Sequence, residues 1–185
     1  MGVNLEAVPA EAGRRLAGVK SEEELFETLF RAEYPRVARI ANRVLADPHE
    51  AEDVAQEVFI HFHRLHSARA QYASAWLYRA AAHTALNRVR GRRRRERREI
   101  AQAADEGASS VDPQRMLEVN EERRQVRQAL ARLAPKPAAV LVLRSSGLSY
   151  AEVAQALGVG IGQVGTLLKR AEAALRKEVT RGSSN

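Results

Sequence analysis

Apolar positions recur at helical spacing along nearly the whole chain, and no window alternates with the period of two that a half-buried strand requires. Alanine, leucine, arginine and glutamate, all strong helix formers, fill these stretches. The pattern predicts an all-α protein: two small helical domains joined by a flexible linker, the C-terminal one a helix-turn-helix. Residues 21–98 read as the first helical block, opened by Ser21 as an N-cap with Glu24 three positions on. Asp47 and Pro48 mark a turn into a helix starting near Glu50. Residues 99–120 carry Gly107, Ser109, Ser110 and Pro113 without a sustained apolar face, and read as the linker. Residues 121–179 form the second block. Residues 180–185 are a tail, frayed from Gly182 to Asn185. Residues 1–20, with Pro9, Gly13 and Gly18, read as a loose amino-terminal extension. Internal repeats are absent.

In the second block, residues 149–170 read SYAEVAQALGVGIGQVGTLLKR. Ser149 with Glu152 makes a capping box. Val153, Ala154 and Leu157 give the helix one apolar face, the small Ala154 letting a second helix approach closely. Gly158 supplies the positive φ that ends it. A second helix runs from about Ile161 with Val164, Leu167 and Leu168 turned inward. A plain helical hairpin explains the apolar residues but not the tight alanine–glycine spacing, which points to a DNA-binding helix-turn-helix. Its second helix would present Gln163, Thr166, Lys169 and Arg170 to the major groove. Gly160, Gly162 and Gly165 leave that reading helix thinly armed.

In the first block, residues 50–59 read EAEDVAQEVF. Val54, Val58 and Phe62 share one helical face, continued by Leu65, while Glu50, Asp53 and Glu57 share another. Such an acidic side is either solvated or a docking face for a basic partner helix. Residues 75–98 read AWLYRAAAHTALNRVRGRRRRERR. Trp76, Leu77, Ala80 and Leu86 turn inward, leaving Arg79, His83, Asn87, Arg88 and Arg90 outside. Arg92, Arg93, Arg94, Arg95, Arg97 and Arg98 form a dense cationic end, suited to phosphate through charge and counterion release. Tyr72, Trp76 and Tyr78 lie just before it. Aromatics there suit stacking on single-stranded bases, although Trp76 reads first as core.

Composition narrows the choice. The 185 residues carry a formal net charge of +7, which calls for a polyanionic partner. Without cysteine there are no disulfides, thiolate metal sites or thiol redox sensors. His61, His63 and His66 are too irregularly spaced on a helix to hold a metal together. No nucleophile–base arrangement, phosphate loop or paired catalytic carboxylates stands out, so neither an enzyme nor a cofactor is expected. Lacking a signal peptide or a membrane-length apolar run, the protein is expected to be soluble and cytoplasmic.

EAEDVAQEVF, then AWLYRAAAHTALNRVRGRRRR, then SYAEVAQALGV before a second helix resembles, in order and spacing, the extracytoplasmic-function (ECF) group of bacterial RNA polymerase sigma factors. The likeness covers about residues 22–98 and 122–177. The resemblance implies that Glu50, Asp53, Gln56 and Glu57 dock on core RNA polymerase. It also implies that the segment from Trp76 to Arg95, with Trp76, Arg79, His83, Asn87, Arg88, Arg90, Arg92, Arg93 and Arg94, melts and reads the minus-ten promoter element. The helix from Ile161 then reads the minus-thirty-five element, and an anti-sigma factor is an implied partner. Relatives usually have a lysine at the position of Gly165, an arginine near Leu167 and an asparagine where His83 stands. The stretch between Phe59 and Trp76, which holds a base-capturing loop in relatives, is slightly shorter here. Two other readings compete: a stand-alone helix-turn-helix regulator of duplex DNA, and a basic helical RNA-binding or adaptor protein.

Overall fold

The computed structural model describes residues 20–106 and 118–183. The described residues are helical throughout, without a strand. The first three helices are α1 (Glu22–Leu45), α2 (Pro48–Leu65) and α3 (Ala73–Glu106). Four more follow: α4 (Glu118–Arg132), α5 (Pro135–Ser145), α6 (Tyr150–Leu157) and α7 (Ile161–Ser183).

Local chemistry sets most boundaries. Ser21 and Glu24 form a reciprocal capping box at the start of α1. The Asp47 carboxylate accepts from the backbone N–H groups of His49 and Glu50, and Pro48 occupies the first turn of α2, two residues before the expected start. Ser149 and Glu152 repeat the capping box at α6, and Gly158 closes that helix in the left-handed region at φ 62°.

Three further boundaries differ from the sequence expectation. Helix α3 continues to Glu106 and α4 begins at Glu118, so both ends of the expected 99–120 linker are helix. The segment from Arg98 to Glu106 is rich in strong helix formers and can propagate from the preceding turns, and residues 98–102 are exposed. The remainder of that linker lies outside the described residues, as do residues 1–19 of the expected extension. Helix α7 runs on to Ser183, taking in the first residues of the expected frayed tail, while residues 184 and 185 are outside the description.

Helices α1, α2 and α3 pack as one bundle, and α5, α6 and α7 as another, with α4 lying against α7. Phe59, Phe62, Ile40, Leu77 and Leu86 are fully buried in the first; Leu143, Leu148, Val140 and Val142 are in the second. Each such side chain contributes about 1.5–3 kcal/mol of burial. Leu65 departs from the expected apolar face and is exposed, because α2 ends there and the chain turns away.

The two bundles also touch. Helix α3 packs on α4, α5 and α6, so the buried residues form one continuous cluster. Polar contacts cross the seam. The Arg90 guanidinium donates to the carbonyls of Ala131 (3.0 Å) and Leu133 (2.9 Å) at the end of α4. Arg36 of α1 pairs with Glu152 of α6 at 2.7 Å and donates to the Tyr78 hydroxyl, which itself donates to Glu33. Burial, and then the Glu33 hydrogen bond, push the Tyr78 phenol up to about 12.

Candidate nucleic-acid interface

The apolar stripe Val54–Val58–Phe62 is buried against α1 and α3, which turns Asp53, Gln56 and Glu57 of α2 outward. These three line an open groove of about 340 Å³ with Ile60, His61 and Arg64. Ile60 is 52% exposed, an apolar side chain standing among polar ones.

Two of the acidic residues are tied to α3. Glu57 pairs with Arg88 at 2.9 Å, and Glu50 with Arg92 at 2.9 Å. Arg88 also donates, at 3.5 Å, to the Glu50 carbonyl. The second Glu50 carboxylate oxygen, Oε2, is buried and has no hydrogen-bond partner among the described residues. Partly exposed pairs of this kind are worth about 0–1 kcal/mol each, so their role is to position side chains more than to stabilise. Arg88, Arg92, Asn87 and Arg95 then border, with Glu50 and Glu57, a wide cavity of about 570 Å³ between α2 and α3.

Along α3, Arg79, Asn87 and Arg94 are exposed as expected. Others are not free on the outside. Arg88, Arg90, Arg92 and Arg93 are half-buried, and Arg90 is spent on α4 carbonyls and on Asn87 Oδ1 (3.3 Å). His83 is half-buried too. Desolvation, helped by the charges of Arg79 and Arg90, holds its imidazole below the usual histidine range. Near neutrality it is therefore an uncharged donor and acceptor.

Trp76 sits half-buried in an aromatic group. His61 lies parallel to it at 5.9 Å between ring centroids, His66 at 4.7 Å and Phe62 at 5.5 Å. Tyr72, half-exposed, sits edge-on to His66 at 5.8 Å, its hydroxyl 3.3 Å from His66 Nδ1. Among the described residues no three His, Cys, Asp or Glu side chains come together as a metal site.

In the carboxy-terminal bundle, Val164 and Leu168 are buried and Leu167 half-buried, leaving Gln163, Thr166, Lys169 and Arg170 on one exposed stretch of α7. The Gln163 amide oxygen accepts from the Gly160 N–H at 3.1 Å, so that oxygen helps cap its own helix. A Cβ added at Gly165 would meet only the Tyr150 ring, at an ordinary 3.9 Å. Nothing in the packing requires glycine there.

Family models match both blocks: Sigma-70 region 2 over residues 29–95, and Sigma-70, region 4 over residues 123–175. RNA polymerase sigma factor YlaC of Bacillus subtilis is 31% identical over 159 residues, 84% of this chain and 92% of that protein. ECF RNA polymerase sigma factor SigE of Mycolicibacterium smegmatis is 30% identical over 162 residues, 86% of this chain and 63% of SigE. The chain belongs to the ECF sigma factors. A solved structure of the sigma factor RpoE with the anti-sigma factor NepR from Bartonella quintana aligns at a TM-score of 0.45 and 19% identity, over 84% of this chain and 96% of that one.

In this ECF sigma factor, the region 2 match spans α2 and the arginine-bearing part of α3, and the region 4 match spans the helix-turn-helix. Sequence reasoning missed Ile60 and Arg64 in the α2 groove. Spacing could have found them, since Gln56 and Glu57 stand three and four after Asp53, Ile60 three after Glu57, and Arg64 four after Ile60. It weighed His61 and His66 only as metal ligands, whereas they pack on Trp76. That arrangement depends on the turn between α2 and α3, which periodicity does not describe.

Proposed function

We propose that the outer face of α2 docks on core RNA polymerase while α3 and α7 recognise and open a promoter. The observation that carries this reading is the groove of Asp53, Gln56, Glu57, Ile60 and Arg64. An exposed apolar anchor beside two carboxylates, Asp53 and Glu57, suits a basic amphipathic helix of a protein partner better than it suits DNA. Behind the groove, Arg88 and Arg92 are aimed by Glu57 and Glu50, so docking and DNA contact share one seam. Chemistry is left to the polymerase.

On this reading Arg79, Asn87, Arg88, Arg92, Arg93 and Arg94 hold the minus-ten strand by phosphate and base-edge contacts. Neutral His83 reads by hydrogen bonding, and Trp76 with Tyr72 supplies a stacking platform. Thr166, Lys169, Arg170 and the free amide N–H₂ of Gln163 face the minus-thirty-five element. Two elements some 25 base pairs apart lie roughly 85 Å apart along the duplex, whereas α3 and α6 are in contact here. Engaging both therefore separates the bundles and releases Arg90 from α4. An anti-sigma factor, the inhibitory partner implied by the family likeness, would act by covering the Ile60 groove or by holding the bundles together.

Asp53→Lys tests the docking surface cleanly, because Asp53 is exposed and makes no ion pair among the described residues, whereas a change at Glu57 also unseats Arg88. The variant is expected to fold, with unchanged helical circular dichroism, and to lose co-purification with core polymerase. A folded variant that still co-purifies at the wild-type level contradicts the assignment.

A further inference from the structure

Four arginines from two helices converge on one cavity that neither the docking groove nor the α7 reading face explains. Arg92 and Arg93 of α3 and Arg124 and Arg127 of α4 line a space of about 240 Å³, with Glu96 and Gln128 also on its wall. At roughly 30 Å³ per liquid water, the cavity has the volume of about eight waters, enough for one phosphate or a diphosphate. Glu96 is the carboxylate on that wall. Arg92 has a second carboxylate in Glu50, reached from the other side of α3.

This is not the solvated charge of an ordinary surface. Arg93 and Arg127 are half-buried. Burial, then Arg92, Arg123 and Arg124, lower the proton affinity of the Arg127 guanidinium. Burial, Arg132 and Arg97 do the same at Arg93, against partial relief from Glu178 and Glu96. Gathering like charges at partly desolvated positions is unfavourable, and the fold does so where α3 of one bundle meets α4 of the other. Fork-shaped guanidinium donors converging from two sides match the tetrahedral oxygens of phosphate.

We propose that the α3–α4 cavity binds a phosphate-bearing anion through Arg92, Arg93, Arg124 and Arg127, and that the bound anion pins the two helical bundles together. Two sources share this chemistry: a free inorganic phosphate or diphosphate, and a backbone phosphate of nucleic acid. Arg92 and Arg93 also belong to the proposed minus-ten surface, so a free anion held here competes with promoter DNA. That competition rests on the promoter reading, whereas the site itself does not.

The test is thermal unfolding of the full chain at constant ionic strength, with sodium pyrophosphate replacing sodium chloride. Wild type is expected to gain about 5 °C at a hundredfold excess over the dissociation constant. Arg127→Gln removes a repelling charge, so without pyrophosphate it is expected to melt at or above the wild-type temperature, and with pyrophosphate to gain less than half the wild-type shift. Arg31→Gln, which removes a surface arginine paired with Glu27 on α1, should keep the full shift. Arg93→Gln serves in place of Arg127→Gln should that variant fail to fold. A parallel series with a single-stranded 12-mer identifies the source. Loss of the pyrophosphate shift alone in Arg127→Gln marks a free-anion site, and loss of both shifts marks a site for backbone phosphate too. An equal pyrophosphate shift in wild type and Arg127→Gln overturns the proposal, as does an equal loss in Arg31→Gln. A failure of promoter-dependent transcription would leave these melting shifts untouched, so the two readings fail separately.

Discussion

His83 shows how environment resets a side chain that sequence can only name. Its imidazole is half-buried between the exposed Arg79 and the α4-bound Arg90, and all three influences, burial first, favour the neutral form. Above the ordinary histidine value of about 6.5 the folded and unfolded chains are both neutral at this position. As pH falls below it the unfolded chain takes a proton that the folded chain refuses, so stability is lost from about pH 6.5 downward until the lower folded value is passed. His83→Gln removes this loss. Urea unfolding of the two proteins between pH 7.5 and 5 should show wild type losing stability relative to the variant across that window. Parallel curves would contradict it. The carboxyl of Glu152, held low by the Ser149 backbone hydrogen bond, titrates below this range and does not confuse the measurement. At residue scale, what was legible was what is local. Ser21 with Glu24 and Ser149 with Glu152 sit three positions apart and were readable as caps. Arg90 was read as facing outward, because the carbonyls it binds lie 41 and 43 positions along the chain.

Among the elements, α3 carries the most. Its apolar positions Leu77 and Leu86 pack into the first bundle, while Arg90 reaches the carboxyl-terminal end of α4, where exposed carbonyls and the helix dipole favour a cation. Arg90→Gln leaves those half-buried carbonyls short of donors. It is expected to cost about 1–3 kcal/mol in urea unfolding, whereas Arg95→Gln, at an exposed position, should stay within about 0.5 kcal/mol of wild type. Equal values for the two would mean that the contact between α3 and α4 contributes nothing. Helical periodicity placed α2, α6 and α7 well, since each buries a defined stripe. It misjudged the end of α3, because residues 99–102 are exposed and hold helix by propensity and continuity. Missing amphipathicity was a sound sign of an unpacked segment and a poor sign of a non-helical one.

For the whole molecule, pattern alone gave two apolar-faced helical blocks and the order of an acidic face, a cationic helix and a helix-turn-helix. It could not give how the blocks meet. The seam uses scattered polar contacts: Arg36–Glu152 joins residues more than a hundred positions apart, and Arg90 reaches the carbonyls of Ala131 and Leu133. None of these leaves a periodic mark. On the proposed reading, the packed arrangement and a two-element promoter make opposite demands, since one holds α3 against α6 and the other draws them apart. On the proposed docking, core polymerase held at the α2 groove is the agent expected to shift that balance. Run-off transcription tests this most directly, using purified bacterial core polymerase on a genomic fragment library, with and without the protein. Discrete transcripts are expected only when the protein is present, their start sites preceded by two shared sequence elements. With core enzyme from the source organism, the absence of both such transcripts and a stable complex would contradict it.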